Sequence, residues 1–288
     1  MAAAAEVEGH GTQVGDLPEA CLALAIARTS PRDACRCAAV SPAFRAAADS
    51  DDVWQSFVPG DLQLLRRCPV PKGAAGSQKD AYLGLCDGGV FVDGGGCRVW
   101  LERASGARCY ALSARRLSLP WDDGEFSWRW TPHPLSRFDE VAELVDCTSL
   151  DIYGRLPAAA LTPATPYAAY LVYGTTEALR GLSYPDQETT VAVGDRVVAR
   201  HAVCLRPDEA EACKFWDVAE GRGRTEARVV LRRPQLRKDG WWEMEMGHLM
   251  GGEGQKEDEV AVSFEVLGWY PKQGLIVEGI EFRPIFIR

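Results

Sequence analysis

Three tryptophans within ten residues, Trp121, Trp128 and Trp130 in the stretch LSLPWDDGEFSWRW, are the side chains of this chain best suited to recognition chemistry. They are interleaved with Asp122, Asp123 and Glu125. An indole face can stack on the C–H face of a sugar ring while carboxylates accept from its hydroxyls, and each such contact contributes on the order of 1 kcal/mol beyond area burial. The same spacing also suits packing, because Trp128 and Trp130, two apart, share one face of a strand and can fill a core. Core filling is the expectation for Trp130. For Trp121 and Trp128 both readings stand.

No catalytic constellation accompanies the tryptophans. The chain lacks GxSxG and HExxH, and its four histidines, His10, His133, His201 and His248, are scattered. Ten cysteines include no CxxC pair. They read as free thiols in a reducing compartment, with no metal or other cofactor expected. The glycines at 94–96 lack the GK[ST] of a phosphate loop and are flanked by strand-like residues, so they are expected to form a hairpin turn. The acidic stretch 253–259 is expected to be a solvated hairpin loop.

A net charge of −9 disfavours a nucleic-acid partner, which needs a basic footprint. The hydrophobic fraction of 47% and charged fraction of 25% are those of a soluble globular chain. Residues 1–15 lack a basic leader pattern and are expected to be disordered. The apolar run 21–27 is too short to span a bilayer. The expected place is the cytoplasm or nucleus, with no membrane contact.

The elements ahead of the tryptophans are helical. Asp16 followed by Glu19 has capping-box spacing, and Pro18 suits a first turn. Ser30-Pro31 and Ser41-Pro42 each pair a capping hydroxyl with a proline that presets φ. A fourth helix is expected to begin near Ser50, with Asp51 and Asp52 at the positive end of its dipole. Apolar residues recur at helical spacing between these caps, and so small a unit must leave an apolar face open.

The string LPEACLALAIARTSPRDACRCAAVSPAFRAAADSDDVWQSFVP resembles an F-box in its LPE opening, SPRDA step, VS-x-x-F helix and VW-x-x-F close. The resemblance, over 16–60, implies docking onto a Skp-type adaptor and through it a cullin. It makes Leu17, Pro18, Ile26, Pro31, Val40 and Trp54 the interface or interface-supporting positions.

Residues 61–104 read as a connector holding short helices and a hairpin of strands 90–92 and 98–101. Beyond 105, short β-like runs alternate with turns: 109–112, 151–154, 167–173, 189–192, 228–231, 241–246, 260–267 and 275–283. Residues 136–145 are the exception, with Phe138, Val141, Ala142, Leu144 and Val145 at helical spacing. The whole reads as α+β, a small helical unit followed by a mainly antiparallel, jelly-roll-like β-sandwich.

Within 105–288, five segments in order resemble the phloem protein 2, or Nictaba-like, lectin domain: ASGARCYALSARRLSLPW, SWRW, SRFDEVAELVDCTSLDIYGRL, RKDGWWEMEMG and KQGLIVEGIEFRP. The resemblance implies binding of N-acetylglucosamine oligomers or N-glycans through Trp121 and Trp128. Pro120, Ser127 and Ser149 depart from the family pattern. Joined to the F-box, it implies a non-catalytic substrate receptor of an SCF-type ubiquitin ligase that selects protein or glycoprotein targets. The alternative is a lectin module acting in stress or defence signalling without ubiquitin chemistry.

Overall fold

The computed structural model describes residue 14 and residues 17–65, 76–120, 127–184, 186–206, 231–255 and 257–286. The chain divides into two compact units: Met1–Gly88 with Arg103–Gly106, and Gly89–Glu102 with Ala107–Arg288.

Among the described residues the first unit holds six α-helices, α1 (Glu19–Ile26), α2 (Pro31–Cys37), α3 (Pro42–Ala48), α4 (Asp51–Ser56), α5 (Gly60–Leu65) and α6 (Gln78–Asp87). The Ser-Pro pairs act as expected. Ser30 Oγ accepts from Asp33 N–H and Ser41 Oγ from Phe44 N–H, with proline next in each helix. The helix after Ser50 is present, but its hydroxyl makes no capping bond and is buried without a partner. Asp16, the expected first cap, lies outside the described residues, and α1 starts after Pro18 with no side-chain cap. Ser77 and Asp80 form a reciprocal capping box that starts α6. Buried alanines (Ala34, Ala47, Ala48) let these short helices approach closely around Leu22, Ile26, Val53, Trp54 and Tyr82.

The second unit is a sandwich of two antiparallel sheets. Its strands are β1 (Val90–Val92), β2 (Cys97–Leu101), β3 (Arg108–Ser113), β4 (Trp128–Thr131), β5 (Val141–Leu144), β6 (Leu150–Pro157), β7 (Pro166–Arg180), β8 (Gln187–Val193), β9 (Arg196–Val203), β10 (Gln235–Leu236), β11 (Trp242–Met250), β12 (Glu259–Val266) and β13 (Gln273–Pro284). The larger sheet runs β1-β2-β3-β13-β7-β11-β10, with β5 also pairing β13 and β4 pairing β5; the smaller runs β6-β12-β8-β9. The hairpin expected in the connector is thus the edge of the larger sheet, because β2 pairs β3 along its length.

Alternation sets the faces. Leu150, Ile152, Gly154 and Leu156 of β6 are buried while Asp151 and Tyr153 between them are partly exposed. The sheets meet closely where small residues allow it. A Cβ on Gly154 would lie 2.9 Å from Ile280 Cδ1, and one on Gly247 would lie 2.8 Å from Val191 Cγ2. Thr189 Oγ1 of the smaller sheet donates to Met246 O of the larger at 2.8 Å.

Three expectations are corrected. Residues 141–144 form a strand, not a helix: Val141, Ala142 and Leu144 are all buried, so apolar residues on both faces erase the alternation. The acidic stretch does not close a hairpin, since β11 and β12 belong to different sheets; it carries the chain between them. Trp130 is only half-buried. Of the run expected at 228–231, residues 228–230 lie outside the described residues.

Candidate functional site

In the helical unit, α1 has the sequence EACLALAI, with no charge after Glu19. One side, Leu22, Ala23 and Ile26, enters the core. A helix apolar all round normally belongs in an interior, yet Leu24 is 68% exposed. Leu24, with Ala20, Ala23, Ala27, Arg28, Asp52 and Ser56, lines a groove of about 560 Å³ between α1 and α4. Leu17 (43%) and Val40 (67%) are further exposed apolar side chains of this unit.

The positions singled out in the sequence fall into two sets. Leu17, Pro18 and Val40 are exposed, while Ile26, Pro31 and Trp54 are buried. The buried set supports the surface instead of forming it. Trp54 Nε1 donates to Ala48 O at 2.8 Å, and its ring packs against Phe57 and Tyr82. Leu24 was not among those positions, although an α1 without charge after Glu19 was its signal. The Ser30 hydroxyl and Arg36 lower the Asp33 carboxyl below its ordinary range.

In the β unit, Trp121 lies outside the described residues. Trp128 is 3% exposed, and its Nε1 donates to Pro120 O at 2.9 Å. Neither ring face nor N–H is turned to solvent. Trp130 carries the Arg115 guanidinium 3.7 Å from its ring centroid, and Arg115 in turn bonds Glu140.

Among the described residues, the freely displayed indole is Trp269, 82% exposed on the loop between β12 and β13. Its signal in the sequence was an aromatic pair in a Gly-Trp-Tyr-Pro turn between two strands. Trp269 borders a cleft of about 430 Å³ lined also by Ser118, Pro120, Thr148, Ser149, Asp151 and Tyr153. Two of the departures from the lectin pattern, Pro120 and Ser149, therefore line one cleft.

The loop is fastened from beneath. Lys272 is fully buried, and its Nζ donates to Thr148 O (2.8 Å), Gly268 O (2.6 Å) and Tyr270 O (3.0 Å). All three ammonium protons are thereby used. Burial lowers this ammonium below the ordinary lysine value.

On the larger sheet, Glu281 is buried among Arg137, Arg237 and Arg283. Burial opposes its ionisation, but the charges of these arginines outweigh it and hold the carboxyl below its usual range. Arg137 also makes a fork with the buried Glu278, at 3.1 and 2.7 Å. Among the described residues no cluster of His, Cys, Asp and Glu side chains could hold a metal ion.

Residues 15–56 match the F-box domain and residues 107–284 match Phloem protein 2. The F-box protein PP2-B15 of Arabidopsis thaliana is 37% identical over 93% of this chain and 96% of the relative. The F-box protein At2g02240 of the same plant is 38% identical over 97% of this chain and 83% of the relative. Among solved structures, a family 35 carbohydrate binding module from Clostridium thermocellum aligns at 11% identity with a TM-score of 0.32, covering 60% of this chain and 96% of that one. The chain belongs to the family of plant F-box proteins that carry a phloem protein 2 domain behind the F-box.

Proposed function

We propose that this chain is the substrate-recognition subunit of an SCF-type cullin ubiquitin ligase, acting in the cytoplasm or nucleus. Its helical unit docks a Skp-type adaptor, and its β unit selects a protein or glycoprotein target. The observation that carries the reading is α1, a helix with no charge after Glu19, with one side in the core and Leu24 standing out of the other. Exposed apolar surface of this kind on a small unit marks a partner.

The chain performs no bond chemistry in this reading. It holds a target near a charged conjugating enzyme and turns a bimolecular encounter into an effectively intramolecular one. Sugar selection through Trp128 is not favoured by its position, because a buried ring cannot stack on a pyranose. Co-expression of the full chain with a Skp-type adaptor tests the reading. A complex that survives gel filtration is the expected result, and separate elution of two folded proteins counts against it.

A further inference from the structure

Ser149, Asp151 and Tyr153 alternate with the buried residues of β6 and line the cleft beside Trp269. Strand register sets Asp151 directly opposite Glu265 of β12, and Glu265 opposite Glu188 of β8. Glu188 has Arg200 at 3.4 Å. Asp151 and Glu265 have no cationic partner among the described residues, and Glu265 accepts only the Tyr153 hydroxyl, at 3.0 Å. Like charges directly opposite on a sheet destabilise it. Burial, and then the Glu265 charge, raise the Asp151 carboxyl above its ordinary range. The fold therefore keeps an acidic pair that works against its own stability, and such local conflicts collect at functional sites.

Two neighbouring features share that cleft. Trp269 offers a large aromatic face that packs nothing in the fold. Lys272 fixes the backbone on either side of Trp269 through the Gly268 and Tyr270 carbonyls and ties it to Thr148, so little backbone ordering is needed on binding. Among the described residues, no basic side chain lines the cleft.

We propose that this cleft receives a lysine or arginine side chain of a target protein, with the cation over the Trp269 ring and paired to Asp151. Charge complementarity selects that occupant: an aromatic face attracts a cation, and a carboxylate beside it strengthens the attraction. The proposal rests on the reading of the β unit as the target-selecting half.

The test uses the full chain together with the Skp-type adaptor, and a fluorescein-labelled tetralysine peptide followed by anisotropy. A tetra-arginine peptide, the Nε-acetylated tetralysine and a neutral N-acetylglucosamine oligomer serve as comparisons. Trp269→Ala and Asp151→Asn should each weaken tetralysine or tetra-arginine binding about tenfold, roughly 1.4 kcal/mol, and the acetylated peptide should not bind. Trp269→Ala removes an exposed ring and should leave the thermal midpoint unchanged. Asp151→Asn should raise the midpoint, because it removes the like-charge pair.

Unchanged binding of both cationic peptides in the two variants would overturn the proposal, as would equal binding of the acetylated peptide. Sensitivity of the sugar but not of the peptides to Trp269→Ala would assign the cleft to a saccharide instead. If the adaptor is retained while the peptides fail, the cation site alone is lost. If the adaptor is not retained, the receptor reading fails, and the peptide result is judged on its own.

Discussion

Tyr82 of α6 lies against Trp54 of α4, with ring centroids 5.3 Å apart and both side chains buried. The F-box match ends at residue 56, yet the unit that folds around it includes this later helix. Tyr82 also donates its hydroxyl to Arg103 O at 3.1 Å, and Lys79 Nζ sits 5.2 Å from the Trp54 ring centroid. A piece ending at residue 60 lacks this packing.

Tyr82→Ala should therefore destabilise the helical unit by about 3–5 kcal/mol, the range for emptying a buried aromatic site. Tyr82→Phe should cost only about 1 kcal/mol, the worth of one hydrogen bond. Hydrogen exchange across α1–α4 in the full chain checks both. Equal protection in wild type and Tyr82→Ala would show that α6 does not support the F-box.

Glu281 gives the larger sheet a pH-dependent element. Its carboxyl is held below the unfolded value by Arg137, Arg237 and Arg283, so its contribution is present above the unfolded carboxylate range and lost as pH falls through the depressed folded value. Glu281→Ala should cost about 1.5–3 kcal/mol at neutral pH, the worth of hydrogen bonds to a charged group, because Arg137, Arg237 and Arg283 lose one shared acceptor and keep their others. The difference from wild type should shrink in acid. Urea melts at several pH values measure it, and a difference that grows in acid would contradict the assigned sign.

Lys272→Met keeps the length of the side chain but leaves three carbonyls without their donor. It should lower stability by about 3 kcal/mol and loosen the loop from Gly268 to Pro271. Chymotrypsin, which cuts after aromatic residues not followed by proline, should then cleave after Trp269 faster than in wild type. Equal cleavage rates would mean that the loop does not depend on the buried ammonium.

Local chemistry was legible in the sequence where cause and effect lie within a few residues. Ser30 and Ser41 cap as expected because a Ser-Pro pair supplies both acceptor and preset φ. Ser50 starts a helix without capping it, since its hydroxyl is turned into the interior. What escaped depends on contacts far apart along the chain. β9 carries Arg196, Arg200 and His201 and is mostly half-exposed at a sheet edge, so it lacks the apolar alternation of a central strand. Trp128 and Trp130 share a strand but not a fate, because Trp130 meets Arg115 and Trp128 meets the core. Nothing local to Trp269 marks it out, because what holds its turn in place is the buried Lys272, three residues on.

If the apolar outer side of α1 is the adaptor-binding surface, Leu24→Asp should disrupt docking without unfolding the chain. The side chain is exposed, so the variant should melt with wild type, whereas a charge introduced at the buried Trp54 would confuse unfolding with lost contact. Affinity of the full-length variant for a Skp-type adaptor should fall by a hundredfold or more, roughly 2.8 kcal/mol, as expected for an ion placed in an apolar interface. A folded Leu24→Asp chain that binds the adaptor as tightly as wild type would contradict the account.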